Sequence, residues 1–370
     1  MRAAILRAFG SPLSNEELPD PVLGTGAVIV DVAASGVLPY TAEILSAERN
    51  YLLTLPAVPG AGAVGQVREV GPDATRLTRG DWVICDPTVR ARDDALTPDI
   101  TLQGISARGK GGVKLQQHFR HGAFAEQMLI PTENAFALGS IEPSEASQWT
   151  ALHLLLVPAG GLLAADFRPG ETLLVSGATG NFGSAAVAAA LGMGAARVVA
   201  PGRNQRVLAD LSTRFGPRVR TVELCGDEAL DRERMTAAAP GPVDVVLDIL
   251  PPSAPASVTR AAAMTVREYG RVVLMGGVGM LGGDDLALPY PWIMRHNVRI
   301  FGQWMYGPDA PLRLIQLVRA GLIDLTHWHV SEFSLDHANE AVAHAAAHGG
   351  PFATTVIRPN YRAKQMSNSA

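Results

Sequence analysis

Residues 172–191 read as an apolar strand, a glycine turn and a small-residue helix, and few folds accommodate that succession. Thr172, Leu173, Leu174 and Val175 form the apolar run. Gly177, Gly180 and Gly183 follow at three-residue spacing, and small side chains continue to Leu191. This layout aims backbone N–H groups and a helix N-terminus at a pyrophosphate. A Cβ at the glycines would block either the phosphate or the close packing of helix on strand. Gly177, Ala178, Thr179, Gly180, Asn181, Phe182 and Gly183 are therefore the candidate dinucleotide-binding residues.

The next apolar strand, 197–200, bears on which dinucleotide. An NAD site carries an acid about 20 residues beyond the glycines to hold the ribose 2′-hydroxyl. No Asp or Glu occurs between Ala195 and Ala209, and Arg203 stands at that distance instead. A guanidinium suits a 2′-phosphate, with Gly202 leaving room and Asn204 adding a hydrogen bond. The reading favours NADP(H) over NAD(H).

The chain has 370 residues, a length typical of two domains. A net charge of −4 gives no electrostatic case for a nucleic-acid or membrane partner. With only Cys85 and Cys225, neither a disulfide framework nor a four-cysteine zinc site is available, which fits a cytoplasmic setting. The first residues read as strands and turns rather than a signal peptide. No apolar run spans a membrane without a Gly, Pro or charge interrupting it. The polar tail, 359–370, is expected to fray.

The first third is β-rich, with strands expected at 3–7, 27–33, 63–70, 82–85 and 123–130. The polar stretch 86–121 shows no periodicity and reads as a solvated lobe. From Ser144 the pattern becomes alternating α and β, which implies a parallel sheet covered on both faces. After Gly302, helices at 310–320 and 336–348 precede a last strand at 352–357. The fold class is α/β. Residues 1–143 and 303–370 are expected to form one β-rich domain, with 144–302 inserted as a Rossmann domain.

Several short motifs recur in a specific order. They are Ser35-Gly36-Val37-Leu38-Pro39-Tyr40, Pro59-Gly60-Ala61-Gly62-Ala63-Val64-Gly65 with Gly71, Gly80-Asp81-Trp82-Val83, Gly122-Ala123-Phe124-Ala125-Glu126, the glycine turn, and Gly270-Arg271-Val272-Val273. Over nearly its whole length the chain resembles the medium-chain dehydrogenase/reductase superfamily. The resemblance implies a GroES-like catalytic domain around an inserted Rossmann domain. It also implies a homodimer paired through 298–301, and nicotinamide contacts from Leu250, Gly276, Gly277 and Val278.

The departures from the family are informative. By resemblance, the catalytic zinc ligands of the alcohol dehydrogenases fall at Leu38, Ala61 and Ala146, and none of these is a donor. No metal is expected, and the chain is similar to the zinc-independent quinone and enoyl reductases. Tyr40 falls where the zinc enzymes carry the hydroxyl of the proton relay, and Tyr51 where the enoyl reductases carry a functional Tyr. These two are the candidate proton donors. Leu38, Trp149 and Trp304 are candidate substrate-pocket residues, although packed core roles suit both tryptophans equally or better. The leading expectation is an NADPH-dependent, zinc-independent oxidoreductase that transfers hydride to a small molecule, a quinone or an α,β-unsaturated carbonyl compound. The alternatives are a zinc-free alcohol dehydrogenase or ketone reductase, and a non-catalytic NADPH sensor or partner-binding protein.

Overall fold

The strand Ala27–Val37 organises the first unit. Val28, Val30 and Val32 alternate along it and are fully buried. One edge pairs antiparallel with Ala63–Val70. The other pairs with Gln127–Pro131 along its first half and with Ala353–Arg358 at its end. Trp82–Cys85, Ala135–Ala137 and His329–Ser334 complete a seven-stranded sheet. The computed structural model describes residues 1–360, so the tail expected to fray lies outside the described residues from 361 on. Cys85 sits in the core of this sheet, where burial pushes its thiol up to about 12.

The segment 86–121 is more structured than its sequence suggested. Thr88–Arg90, Ile100–Leu102 and Ser106–Ala107 form a three-stranded antiparallel sheet, and helix Gly109–His118 packs on it. Strands this short carry no readable alternation. The helix starts on Gly109 without a capping side chain, and a Cβ on Gly111 or Gly112 would collide with Asp99 or Ile100. Buried Gln116 ties the lobe to the chain before it, accepting from Thr54 N–H (2.8 Å) and donating to the Leu52 carbonyl (3.3 Å). Ala107 N–H donates to the same carbonyl at 2.8 Å.

The second unit is built on a six-stranded parallel sheet. Its spatial order is Val219–Glu223, Arg197–Gly202, Thr172–Ser176, Val243–Asp248, Val266–Leu274, Arg299–Gly302. In chain order this is 3-2-1-4-5-6, the doubly wound arrangement. Strand Thr172–Ser176 is buried at every position, as a strand covered on both faces requires. Helix Asn181–Gly192 buries an unbroken run from Gly183 to Ala190.

The units divide differently from the expected boundaries. The first comprises Met1–His153, Leu325–Gly349 and the segment from Ala353. The second comprises Leu154–Asp324 and Gly350–Phe352. Residues 144–153 fall in the first unit because helix Ala146–Trp149 packs on strands Ala27–Val37 and Ala63–Val70. Residues 303–324 fall in the second because their apolar side chains pack there. Tyr306 lies against Gly160, and Ile323 against Gly192. Among the described residues no helix is long and apolar enough to cross a membrane.

Candidate functional site

Two clusters carry the chemistry, one in each unit. In the second unit, strand Thr172–Ser176 ends at Gly177, whose φ of +97° lies in the left-handed region that favours glycine. Gly180 is the N-cap of helix Asn181–Gly192 and brings no capping side chain to its first turn. A Cβ on Gly183 would collide with the Gly177 carbonyl, so the helix start sits directly on the turn. Ala178 is fully buried beneath the turn and Gly180 is exposed on it; Thr179 and Phe182 are half-buried. The Asn181 side chain serves the fold, donating to the Gly350 carbonyl at 2.8 Å. Gly177, Gly180 and Gly183 make the turn a cradle of backbone, which fits a pyrophosphate.

At the end of the second strand the picture needs correction in three details. The space beside Gly202 is occupied by Thr179, with which a Cβ would collide, so this glycine accommodates the glycine turn. Asn204 caps helix Gln205–Phe215, its side-chain oxygen accepting from Val207 N–H at 3.2 Å. Glu223, an acid distant in sequence, is brought opposite Gly202 by strand register, and Gln205 donates to its carboxylate at 2.6 Å. Arg203 is exposed, and its side chain makes no ion pair or hydrogen bond among the described residues. It is a cation just beyond the carboxyl end of Arg197–Gly202 with its donors open.

On the other side of the first strand, the sheet order reverses between Thr172–Ser176 and Val243–Asp248. Leu250, Gly276, Gly277 and Val278 lie just beyond the carboxyl ends of the strands on that side. Gly277 N–H donates to the Leu250 carbonyl at 2.8 Å, joining the two loops. Asp248 ends its strand opposite Ser176 and is 3% exposed. Thr259 Oγ1 donates to its carboxylate at 3.1 Å. Burial pushes this carboxyl up to about 6, against the opposing hydrogen bonds. Sequence reasoning missed it, although one acid closing the run Val245-Val246-Leu247-Asp248 was a visible signal.

In the first unit, Ser35 Oγ donates to the Gly62 carbonyl at 3.1 Å, clamping the end of Ala27–Val37 to the chain entering Ala63–Val70. Leu38 and Ala61 flank this clamp. Gly36 faces Thr150, in the turn that follows helix Ala146–Trp149. The segments that bear these three positions thus meet through the Ser35–Gly62 bond and the approach of Thr150 to Gly36, and the three side chains are aliphatic. A zinc ion does not fit them, and among the described residues no group of three or more His, Cys, Asp or Glu is arranged to hold a metal. Trp149 is buried at 6% exposure in the packed helix, whereas Trp304 is 45% exposed, contrary to a core role.

Tyr40 and Tyr51 share one partner that sequence reasoning did not identify. The Arg49 guanidinium lies 4.1 Å from the centroid of the Tyr40 ring and 6.0 Å from that of Tyr51. It donates to the Tyr51 hydroxyl at 3.5 Å and to the Glu43 carboxylate at 2.8 Å. Burial works against the charge of Arg49, but the Tyr51 hydrogen bond and the Glu43 charge outweigh it and raise its pKa. Burial raises the Tyr40 phenol well above its ordinary range, keeping it neutral, a donor rather than a base. The cluster can offer a phenolic proton beside a fixed cation.

Residues 24–140 match the alcohol dehydrogenase GroES-like domain family. The sorbitol dehydrogenase of Bacillus subtilis is 24% identical over 374 residues, covering 97% of this chain and 98% of that protein. An NAD-dependent alcohol dehydrogenase of Sulfurisphaera tokodaii is 23% identical over 358 residues, 92% of this chain and 95% of its own. Among solved structures, a thermostable alcohol dehydrogenase from Pyrobaculum aerophilum superposes with a TM-score of 0.73 at 23% identity, covering 97% of this chain and 99% of that one. Residues 24–140 thus carry an alcohol dehydrogenase GroES-like domain, and with the doubly wound sheet and the glycine turn following in this order the chain is similar along its length to the medium-chain dehydrogenase/reductase superfamily of oxidoreductases.

Proposed function

We propose that this protein is an NADP(H)-dependent, zinc-independent oxidoreductase that reduces a quinone or an α,β-unsaturated carbonyl compound. The observation that carries the reading is the aliphatic set Leu38, Ala61 and Ala146 at the positions that would hold zinc. Without a Lewis acid there, the protein must stabilise the charge developing on a carbonyl oxygen by hydrogen bonds. A conjugated acceptor needs the least such help, because its own π-system spreads the charge. The bound nicotinamide supplies the hydride. Tyr51 supplies the proton, and Arg49 stabilises the oxygen left behind. Tyr40, neutral and stacked on Arg49, holds the guanidinium in place.

Arg203 supports NADP(H) as the cofactor, because a guanidinium with open donors matches a 2′-phosphate. Glu223 beside Gly202 opposes that preference, and the Arg203 guanidinium outweighs it. The relatives named as alcohol and sorbitol dehydrogenases favour a second reading, a zinc-free ketone reductase with the Arg49–Tyr51 pair in place of the metal. The test is NADPH consumption with a quinone, an enone and a ketone. Turnover of the first two carries the leading reading; turnover of the ketone alone carries the second. NADPH binding without turnover would point to a sensor.

The same reading includes a homodimer. Arg299–Gly302 is the last strand of the six-stranded sheet, with one edge unpaired among the described residues. Helix Tyr290–Arg295, just before it, packs Trp292 and Ile293 half-buried on the core but leaves Tyr290 and Met294 74% and 54% exposed. An apolar edge of this kind suits pairing across a two-fold axis.

A further inference from the structure

Among the described residues Asp248 is the one buried carboxylate at the carboxyl ends of the central strands, and the reaction described above does not use it. Its place relative to a dinucleotide follows from the geometry of the second unit. The pyrophosphate belongs on the glycine turn, over strand Thr172–Ser176. The adenosine ribose belongs by Arg203, at the end of Arg197–Gly202, on one side of that strand. The other half of the molecule must then extend to the opposite side, over the ends of Val243–Asp248 and Val266–Leu274. The nicotinamide therefore sits on the side of the sheet where Asp248 ends its strand.

The local packing keeps that charge from being dissipated. Asp248 is 3% exposed, so little water screens it. Gly276 lies over the carboxylate with no side chain; a Cβ there would come within 2.6 Å of Oδ2 and 2.8 Å of the Leu250 N and O. The groups facing the carboxylate are neutral: the Thr259 hydroxyl, the Ser176 hydroxyl and the Leu250 N–H. Among the described residues no cationic side chain is paired with it, so its negative charge is met by neutral donors alone.

We propose that the Asp248 carboxylate sets the redox preference of the bound cofactor, favouring the oxidised nicotinamide, whose ring is cationic, over the reduced one, whose ring is neutral. The inference rests on the dinucleotide reading above but not on any choice of substrate. Stabilising the oxidised ring makes the bound reduced cofactor a stronger hydride donor. Because the carboxyl titrates at about 6, the preference is present at neutral pH and is lost as the pH falls below that value.

The test is the ratio of the dissociation constants of NADP⁺ and NADPH, measured by fluorescence titration of the full chain. Taking the ratio cancels the ionisation of the 2′-phosphate, which both forms share. Asp248→Asn should raise the ratio about tenfold at pH 7.5, the scale expected of one charge acting across a weakly screened interior. Should that variant not fold, the wild-type ratio measured from pH 7.5 to 5.5 reads the same effect and should rise over that interval. A ratio unchanged within about twofold in either series overturns the inference. If NADH binds in place of NADPH, the ratio is taken with that pair. Binding of neither pair overturns the dinucleotide reading and this inference together; tight binding with an unmoved ratio overturns this inference alone.

Discussion

The Arg49 guanidinium stacks over the ring of Tyr40, 4.1 Å from its centroid, and its other face of donors reaches Glu43 and Tyr51. One arginine therefore links the proposed proton donor Tyr51 to the ring of Tyr40 that holds the guanidinium in place. Tyr51→Phe should lower kcat by about a hundredfold, the low end of what general acid catalysis contributes, with KM changed less than threefold. Arg49→Met should lower kcat similarly and also lower Tm, because it leaves Glu43 without its partner. Steady-state kinetics and thermal melts check both. Full activity in Tyr51→Phe would remove it from the proton-donor role.

Arg203→Ala should weaken NADPH by about tenfold to a hundredfold and NADH by much less, since a charge-assisted phosphate contact is worth about 1.5–3 kcal/mol. Glu223→Gln should act in the opposite direction and tighten NADPH severalfold, by removing a carboxylate from beside Gly202. Equal losses of both cofactors in Arg203→Ala would show that this residue does not read the phosphate.

Gln116→Leu should cost about 2–3 kcal/mol of stability, because it leaves the Thr54 N–H and part of the hydrogen bonding of the Leu52 carbonyl unmet. Chemical denaturation measures it. The same variant should lower kcat, since the clamped residues directly follow Tyr51. A neutral effect on both would mean that the lobe does not support this segment.

Light scattering at micromolar concentration should report a dimer, and Ile300→Lys, in the edge strand, should shift it to monomer. A wild-type monomer would contradict the assembly.

How far the fold was legible depended on how local its signals were. Residues 172–191 declare a strand, a turn and a helix because glycine spacing and side-chain size act over a few residues. The lobe at 86–121 was opaque because its strands are two or three residues long and its helix is glycine-rich. The boundary at 303 was misplaced because the packing of Tyr306 on Gly160 and Ile323 on Gly192 is long-range. The candidate site divides in the same way. Tyr40 and Arg203 were visible as residue types in telling places. Glu223 reaches Gly202 only through strand register, Asp248 matters only because it is buried, and Arg49 acquires a role only once it is seen stacked on Tyr40.

The central claim is hydride chemistry without a metal, and the most direct measurement couples metal content to turnover. Elemental analysis of the purified protein should find well under one zinc per chain, and NADPH oxidation with a quinone or enone should be unchanged after exhaustive chelation. Stoichiometric zinc lost together with activity on chelation would contradict the account, because Leu38, Ala61 and Ala146 could not be holding it.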